Sequence, residues 1–515
     1  MIPYNLKRTL TYCCRLLVLS IFSLVAVLLS LMLAVKPIMA QEKIQWTPQQ
    51  TINGYHPETE TPILFTDKSG IVHAFSSQWL DEGSDQAVKA VVYNRWETGI
   101  GWTAPVDILL SPLKNEARIQ DAMLDTRGNV HIIFYGGDGT LGNIYYATAP
   151  LESIDQASAW SKPIVIGESA DDPPVAAIAG DDKGNMVVVY GGKNEGNGLY
   201  SVYSTDWGDT WTESIPGLLT YDSRFPFNLK VDSGESGLIH AVWDVRDIGG
   251  NGREINYAQL NLIDQQWSEP ITLEEAESGY GVLNPSVIEY NGELFVVYSG
   301  LTFRRSVDGG HNWTDPENPF QLTGINGKVS FVIDSANTLH LVWAQRKSGN
   351  PDIHGVWHSQ WLDNKWSTPE PVATGPRIVD LSGLEGFDPY DVRAEIVLGN
   401  TLLAVWRTDP GEIKANGIWY SVGRLDAPAL PAEAVTGNTN NMPTPMNEMV
   451  ASDEPVEEST AFSQPITEEQ NSNTVSSKFS GNEPAQQILM ALIPTTLLVV
   501  LVILVKTYFM SQKKV

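Results

Sequence analysis

Short apolar segments that each end in an aromatic residue recur along most of this chain of 515 residues. Each one follows a polar turn, and the pattern of turn and apolar run predicts a β-strand. The seven copies are Ile71–Phe75, Val130–Phe134, Met186–Tyr190, Leu238–Trp243, Leu294–Tyr298, Leu339–Trp343 and Leu402–Trp406. Their spacing of about 45 to 65 residues lies in the range of β-propeller blades.

The turns before these strands carry the residues that a tight hairpin needs. Three of them read Asp67-Lys-Ser-Gly70, Asp125-Thr-Arg-Gly-Asn129 and Asp181-Asp-Lys-Gly-Asn185. The aspartate side chain caps the bend, and glycine or asparagine takes the positive φ that the hairpin demands. Each turn therefore predicts a first strand before it and a second strand after it.

A looser third strand follows each second strand, and a fourth strand then begins with Trp-Ser or Trp-Thr. A proline shortly after the tryptophan suits an outer edge strand, which need not donate every hydrogen bond. The six copies within the repeats start at Trp102, Trp160, Trp211, Trp267, Trp313 and Trp366. A seventh, Trp46-Thr-Pro48, precedes the first repeat, so the amino-terminal strand is expected to complete the last blade and close the ring.

The predicted fold is therefore all-β, a β-propeller of seven four-stranded blades closed by the amino-terminal strand. One unit, around residues 284–316, departs most from the repeat pattern. A ring of six blades is the alternative if that unit is distorted.

Two segments match the Asp-box motif, Ser-x-Asp-x-Gly-x-x-Trp. They are Ser204–Trp211 and Ser306–Trp313, and both lie at the same place in the repeat. In this motif serine and aspartate hold turn N–H groups, glycine gives backbone freedom, and tryptophan packs between neighbouring sheets. On these residues the chain resembles the sialidase superfamily of Asp-box (BNR) repeat proteins over most of residues 42–426. The motif indicates a fold and not a reaction.

Both ends of the chain carry long apolar runs. Basic residues precede the run of residues 16–35, as in a secretory signal cleaved after Ala40, and an uncleaved signal anchor is the alternative. The run from Ile488 to Val505 has the length of a transmembrane helix, and the lysines after it predict a cytoplasmic end. The expected layout is signal peptide or anchor (1–40), propeller ectodomain (41–426), disordered acidic stalk rich in Pro, Thr and Ser (427–485), transmembrane helix (486–506) and basic cytoplasmic tail (507–515).

The exported part is strongly acidic. Residues 41–485 hold 26 basic and 61 acidic residues, a formal charge of −35, which disfavours nucleic acid as a partner. Both cysteines, Cys13 and Cys14, precede the first apolar run, so the exported part has neither disulfides nor thiolate metal sites. The expected location is the cell membrane, crossed once, with the propeller outside, and the missing cysteines favour a bacterial envelope.

Loop type sorts the residues that could carry chemistry. In a propeller, the loops that enter first strands and those that join second to third strands open on one face, opposite the Asp-box turns. Arginines on that face could hold a carboxylate through two parallel hydrogen bonds. The alternative is that they pair with nearby acids, as Arg246 could with Asp244 or Asp247. Candidate binding residues are Arg246, Arg346, Arg407, Tyr221 and Tyr280, and candidate catalytic residues are Arg118, Arg224, Arg393, Tyr390, Asp388 and Glu58.

The resemblance to sialidases implies roles for such residues. Sialidases use three arginines for the sugar carboxylate, a tyrosine nucleophile assisted by a glutamate, and an aspartate as acid and base. Their first arginine lies in an Arg-Ile-Pro-like motif of the first blade, whereas the nearest match here is Arg224-Phe-Pro226 in the fourth repeat.

Four histidines share one position of the second strand in different repeats. They are His73, His131, His240 and His340. Repeat geometry places them far apart around the ring, so they are expected to be packing residues rather than ligands of one metal ion. The sequence predicts no metal or cofactor.

Three functions fit these patterns, and fold alone does not choose among them. The leading hypothesis is a membrane-anchored propeller that binds a glycan or a protein such as a glycoprotein at its funnel. The second is an exo-sialidase-type glycoside hydrolase that cleaves terminal acidic sugars. The third is a non-catalytic scaffold in an envelope complex. The sequence does not indicate an oligomeric state.

Overall fold

The computed structural model describes residues 43–433 except 82–83, 85, 171–173, 220–223, 235–236, 280, 323–324, 347–354, 376–388 and 409–416. These residues form strands and two single-turn 3₁₀ helices, Leu151–Ser153 and Ala157–Ala159. In this part of the chain no helix is long and apolar enough to cross a membrane. The predicted signal segment and the predicted transmembrane helix lie outside the described residues.

Six sheets follow one another along the described part of the chain, and the nine-stranded one comprises two blades joined by a single parallel pairing of Lys89 with Glu116, so the strands form seven antiparallel blades. Two short strands, β1 (Gln45–Trp46) and β2 (Gln50–Thr51), come first and belong to the last blade. Blade 1 holds β3 (Ile63–Thr66), β4 (Val72–Leu80), β5 (Val88–Glu97), β6 (Gly101–Trp102) and β7 (Val106–Leu109). Blade 2 holds β8 (Glu116–Leu124), β9 (Asn129–Gly137), β10 (Gly142–Pro150) and β11 (Ile164–Glu168). Blade 3 holds β12 (Ala176–Gly180), β13 (Met186–Gly192), β14 (Gly198–Ser204) and β15 (Ile215–Leu219).

The remaining blades follow the same order. Blade 4 holds β16 (Phe225–Ser233), β17 (Leu238–Arg246), β18 (Gly252–Asn261), β19 (Gln266–Trp267) and β20 (Ile271–Glu275); blade 5 holds β21 (Ser286–Tyr290), β22 (Glu293–Tyr298) and β23 (Thr302–Ser306). Blade 6 holds β24 (Ile325–Ile333), β25 (Leu339–Arg346), β26 (Gly355–Leu362), β27 (Lys365–Trp366) and β28 (Glu370–Thr374); blade 7 holds β29 (Pro389–Val397), β30 (Thr401–Thr408) and β31 (Ile418–Arg424).

The first strands of the blades form a closed ring. Each contacts the first strand of the next blade, in the order β3, β8, β12, β16, β21, β24 and β29, and β29 contacts β3 again. This is the arrangement of a β-propeller, and its described residues make seven blades rather than six.

The amino-terminal segment supplies the outer strand of blade 7. Gln45 and Trp46 pair with Arg424 and Gly423, and Gln50 pairs with Tyr420 further along β31. The strand is split at Pro48, as the fourth strands of blades 1, 4 and 6 are split at corresponding prolines. A proline cannot donate to the ladder, so it breaks the outer strand without exposing the inner ones.

Blade 5 is the irregular unit that the sequence indicates. Among the described residues it has three strands, and its fourth is reduced to one bridge between Phe303 and Glu317. Thr314 extends this edge, because its N–H donates to the Arg305 carbonyl and its hydroxyl accepts from the Arg305 N–H. The blade is therefore degenerate at its outer edge while its first strand keeps its place in the ring.

The two Asp-box segments fold into matching turns. In the first, the Ser204 hydroxyl accepts from the Gly208 N–H at 2.9 Å, and the Trp211 ring packs edge-on against Tyr146 of the preceding blade at 5.0 Å. In the second, Trp313 packs in the same way against Tyr257 at 5.0 Å. The tryptophans thus join neighbouring sheets, as the motif predicts.

The repeated histidines are buried and make hydrogen bonds within their own blades. His131 bonds the Tyr146 hydroxyl at 2.7 Å through Nδ1 and the Asp125 carboxylate at 3.2 Å through Nε2. Burial by itself raises the pKa of Asp125, but the hydrogen bonds from His131 and Asn129 outweigh it and hold that pKa at about 2. The other three histidines also bond a ring or hydroxyl on the third strand, so all four are structural links.

The blades have two distinct ends. We call one end the funnel face; it carries the loops that enter the first strands and the loops that join second to third strands. We call the opposite end the turn face; it carries the hairpins between first and second strands and between third and fourth strands. Lys43, the first described residue, lies just before β1, near the turn-face end of β31. The N–H of Glu433 donates to the carbonyl of Lys68, which lies in a turn-face hairpin. Both ends of the described chain therefore lie on the turn face.

The packed chain continues beyond the predicted boundary at residue 426. The N–H of Leu430 donates to the carbonyl of Leu398, and the Pro428 carbonyl accepts from the Ser335 hydroxyl. We call residues 425–433 the strap, because they cross turns of blades 6, 7 and 1. The strap is rich in alanine and proline and has no strand periodicity, so the sequence did not separate it from the predicted stalk.

Candidate functional site

The first strands of blades 2, 4, 6 and 7 each carry a β-bulge. The bulges lie at matching positions, opposite the aromatic residue with which the repeated apolar segment of the second strand ends. The register shifts fall between Ile119 and Asp121, Phe227 and Lys230, Asn326 and Val329, and Pro389 and Val392. A bulge re-aims the side chains around it and is common beside functional sites. In this protein the bulges in blades 2, 4, 6 and 7 bring charged residues onto the innermost strands.

We call these residues the axial cluster. It consists of Asp121, Lys230, Lys328, Asp391, Arg393, Glu395 and Arg407. Burial raises the pKa of Asp121, and the positive charges of Lys230 and Arg393 oppose that rise. Since residues of blades 2, 4 and 7 act on one carboxyl group, the cluster spans the centre of the ring.

The cations of the axial cluster act on one another. Burial lowers the pKa of Lys230 well below its usual range, and the like charges of Arg393 and Lys328 lower it further. At Asp391 burial favours the neutral acid, but Lys328, Arg407 and Arg393 together outweigh it, so its pKa is lowered. The negative charge of Asp391 is therefore held by cations on three sides.

Arg407 and Asp391 leave buried polar atoms without hydrogen bonds. The guanidinium lies 3.6 Å from the Asp391 carboxylate and 5.7 Å from the centre of the Tyr390 ring. Its Nε and the Asp391 Oδ1 are both buried and have no hydrogen-bond partner. Buried polar groups in native proteins are nearly always paired, so water or a polar ligand is expected to pair with this donor and acceptor.

A second group of charges lies where blades 1 and 2 meet on the funnel face. We call Glu60, Lys89, Glu116 and Arg118 the rim cluster. Lys89 bonds Glu60 at 2.5 Å, and Arg118 bonds Glu116 at 2.8 Å. Although burial raises the pKa of Glu60, the charges of Lys89, Arg407 and Arg118 lower it overall, which links the rim cluster to the axial cluster.

Glu395 lies deeper in the channel, at the seam between blades 7 and 1. It accepts a hydrogen bond from the Thr66 hydroxyl at 3.0 Å. Burial raises its pKa to about 8, with Thr66 and Arg393 opposing the rise. Toward the turn face, a cavity of ≈ 460 Å³ is lined by Thr66, Ile333 and Ile396 and by residues of the strap.

The free energy of unfolding should fall between pH 5 and pH 8 because of Glu395. Its pKa in the folded protein is raised to about 8, so the folded state binds more protons than the unfolded chain over this interval and loses stability as they leave. We expect Glu395→Gln to remove about 3 kcal/mol of this decline. Urea unfolding at both pH values measures it, and the exposed Glu58→Gln should behave like the parent chain.

The structure divides the candidate arginines into two groups. Arg224 is held by Glu254, Arg118 by Glu116, and Arg246 by Asp244 at 2.7 Å, so the alternative of pairing with nearby acids holds for these three. Arg246 also stacks on Phe227 at 4.5 Å. Arg393 and Arg407 instead belong to the axial cluster, so the three arginines proposed for catalysis are not equivalent.

The other candidates have different outcomes. Tyr390 is in the bulge of blade 7 beside Arg407, while Glu58 is exposed and lies before β3. Tyr221, Tyr280, Asp388 and the side chain of Arg346 lie outside the described residues. Sequence reasoning missed Glu60, Lys89, Glu116, Lys230, Lys328, Asp391 and Glu395. A charged residue inside an otherwise apolar first strand was the available signal.

The chain has distant structural relatives only. No protein-family model matches it, and no curated protein matches its sequence. A protein of unknown function from Dyadobacter fermentans DSM 18053 is 14% identical with a TM-score of 0.45, over 74% of this chain and 99% of that one. An ulvan lyase of polysaccharide lyase family PL25 is 12% identical with a TM-score of 0.48, over 75% and 97%. The Trypanosoma rangeli sialidase in complex with sialic acid is 11% identical with a TM-score of 0.39, over 76% and 58%. Similarity this distant says nothing about what the present chain binds or cleaves.

Proposed function

We propose that this protein is a membrane-anchored, extracytoplasmic propeller that binds a glycan over the funnel-face end of its channel. The observation that carries the proposal is the buried pair of Asp391 Oδ1 and Arg407 Nε, an acceptor and a donor without partners. Sugar hydroxyls both donate and accept, so a single saccharide ring can satisfy the two atoms together. A purely apolar ligand would leave both unpaired.

Binding of a glycan array by the full chain in detergent tests the proposal. We expect Arg407→Met to weaken the best glycan at least tenfold, because it removes a buried donor beside Asp391. Arg95→Met, which changes an exposed arginine on β5, is the matched control and should bind like the parent chain. Equal binding by the two variants, or no binding by the parent chain, would contradict the proposal.

A fluorogenic sialoside assay on the same samples tests hydrolysis. Arg393 and Tyr390 lie beside one another in blade 7, so an active sialidase should lose turnover in Arg393→Ala and in Tyr390→Phe. Turnover by the parent chain that disappears in both variants would show that the protein is a hydrolase and not a binding protein. Binding without turnover in the parent chain would leave the binding function standing.

A further inference from the structure

We propose that Lys230, Lys328 and Arg393 form an oxyanion site in the axial channel, which takes the carboxylate or sulfate group of an acidic sugar. The inference rests on the proposed glycan-binding function and specifies its ligand class. The three residues lie on β16, β24 and β29, the innermost strands of blades 4, 6 and 7. Within the axial cluster, they are the basic residues for which the described residues show no ion pair with an acid.

Charge balance points to an anion at this place. The axial cluster has four basic side chains, Lys230, Lys328, Arg393 and Arg407, and three acidic ones, Asp121, Asp391 and Glu395. Burial raises the pKa of Glu395 to about 8 and also raises that of Asp121, while burial and the like charges of Arg393 and Lys328 lower the pKa of Lys230, so the acids offset the basic groups only in part. This excess of positive charge stands in the middle of a chain whose formal net charge is −28. Gathering buried like charges is costly, so a bound oxyanion would be strongly attracted.

Neither Asp121 nor Asp391 forms a hydrogen bond with the side chains of these three cations among the described residues. Asp121 accepts the N–H of Ile178 in the next blade at 3.1 Å and the N–H of Ala122 at 3.0 Å. Asp391 has Arg407 as its nearest cation, at 3.6 Å. Within the described part of the chain, the attraction of these acids to Lys230 and Arg393 acts through space and not through hydrogen bonds. The ammonium and guanidinium donors are therefore available to a ligand.

The bulges hold the three cations in a built arrangement. Asn228, two residues before Lys230, has a φ of 47°, and its side chain is fixed to Asp244 at 2.7 Å. Gly327, next to Lys328, packs so closely on the Tyr390 carbonyl that a Cβ there would overlap it. Strained backbone and close packing of this kind persist where the surrounding structure fixes them, and they gather at ligand sites. The bulges of blades 6 and 7 therefore lock against each other at the site.

The set of donors differs from a three-arginine carboxylate clamp. Arg118 and Arg224, the other two arginines of that hypothesis, are occupied by Glu116 and Glu254. An ammonium group is a compact charge without a preferred plane, so two lysines and one arginine can hold a tetrahedral sulfate as well as a planar carboxylate. The neighbouring Asp391 Oδ1 requires a donor, which a sugar hydroxyl supplies and an inorganic anion does not.

Calorimetric titration of the full chain in detergent, at constant ionic strength, tests the site with four probes. They are D-galacturonate, D-galactose 6-sulfate, neutral D-galactose and sodium sulfate. We expect at least tenfold tighter binding of one or both charged sugars than of galactose. Lys230→Met and Lys328→Met should each abolish that preference, whereas Lys365→Met, at an exposed lysine of β27, should preserve it.

The outcomes separate this inference from the function on which it rests. Binding of galactose as tight as that of the charged sugars would overturn the oxyanion site and leave glycan binding intact. Binding of sodium sulfate alone, lost in both lysine variants, would support an anion site and contradict the glycan. Preference of the parent chain for galacturonate over the sulfated sugar, or the reverse, identifies the oxyanion.

Folding of the variants is checked in the same samples. Each substitution removes a cation from a group of like charges, so the melting temperature without ligand should stay the same or rise. If a variant unfolds, the binding of charged and neutral probes by the parent chain still tests the oxyanion site. Charged sugars that raise the melting temperature of both lysine variants as much as that of the parent chain would overturn the inference.

Discussion

Deleting residues 43–52 from the full chain should lower the free energy of unfolding by about 5 kcal/mol or more, the sum of several lost core side chains. The deletion removes β1 and β2, and with them Trp46 and Ile52, which pack against the core of blade 7. It also leaves β31 as a bare edge able to pair with other chains. The melting temperature should fall by about 6 °C or more, and the protein should form larger species in size-exclusion chromatography.

A deletion of equal length in the predicted stalk, residues 440–449, is the control for this experiment. It shortens the chain by the same amount and should leave the melting temperature unchanged. If the two deletions melt at the same temperature, the amino-terminal strand does not close the ring in solution.

Gly310→Ala should destabilise the propeller by about 3 kcal/mol or more, a large effect for one methyl group. The glycine of the second Asp-box turn has a φ of +89°, and a Cβ at this position would overlap the hydroxyl of Tyr257 in the preceding blade. The substitution therefore adds a collision between two sheets to the strain of a left-handed backbone. Urea unfolding measures the loss.

Gly309→Ala separates the two effects. Gly309 also has a positive φ, +71°, but nothing lies within 4 Å of a Cβ built there. This variant should cost only about 1 kcal/mol, the backbone strain alone. Equal losses at the two positions would mean that the Asp-box glycine is kept for its backbone and not for its contact with Tyr257.

The repeats were legible in the sequence because each blade repeats the same local chemistry. Hairpin turns such as Asp125–Asn129 depend on residues within five positions of one another, and Asp125 caps its turn as expected. The Asp-box tryptophans were placed correctly for the same reason. Trp46 was recognised as the missing seventh copy because the motif is local, even though its partner strand is over 370 residues away.

The site was much less predictable. From the sequence, the arginines of the funnel face could either hold a carboxylate or pair with nearby acids, and Arg118, Arg224 and Arg246 each pair with an acid that lies close in the fold. Two of these acids, Glu116 and Asp244, are only two residues away, and Glu254 is reached across neighbouring strands of blade 4. Sequence spacing shows which acids are within reach, but it does not show which arginine is taken.

The sequence by itself determined the all-β fold, the number of repeats, the closing strand and the structural role of the four histidines. These features follow from turn chemistry and from strand periodicity, which act over a few residues. Only the tertiary structure decided where the charge lies. Lys230, Lys328 and Arg393 come from three blades and are about 65 to 165 residues apart in the chain, and bulges in separate strands bring them together. Because electrostatic interactions depend on distance in space, no local pattern could reveal this cluster.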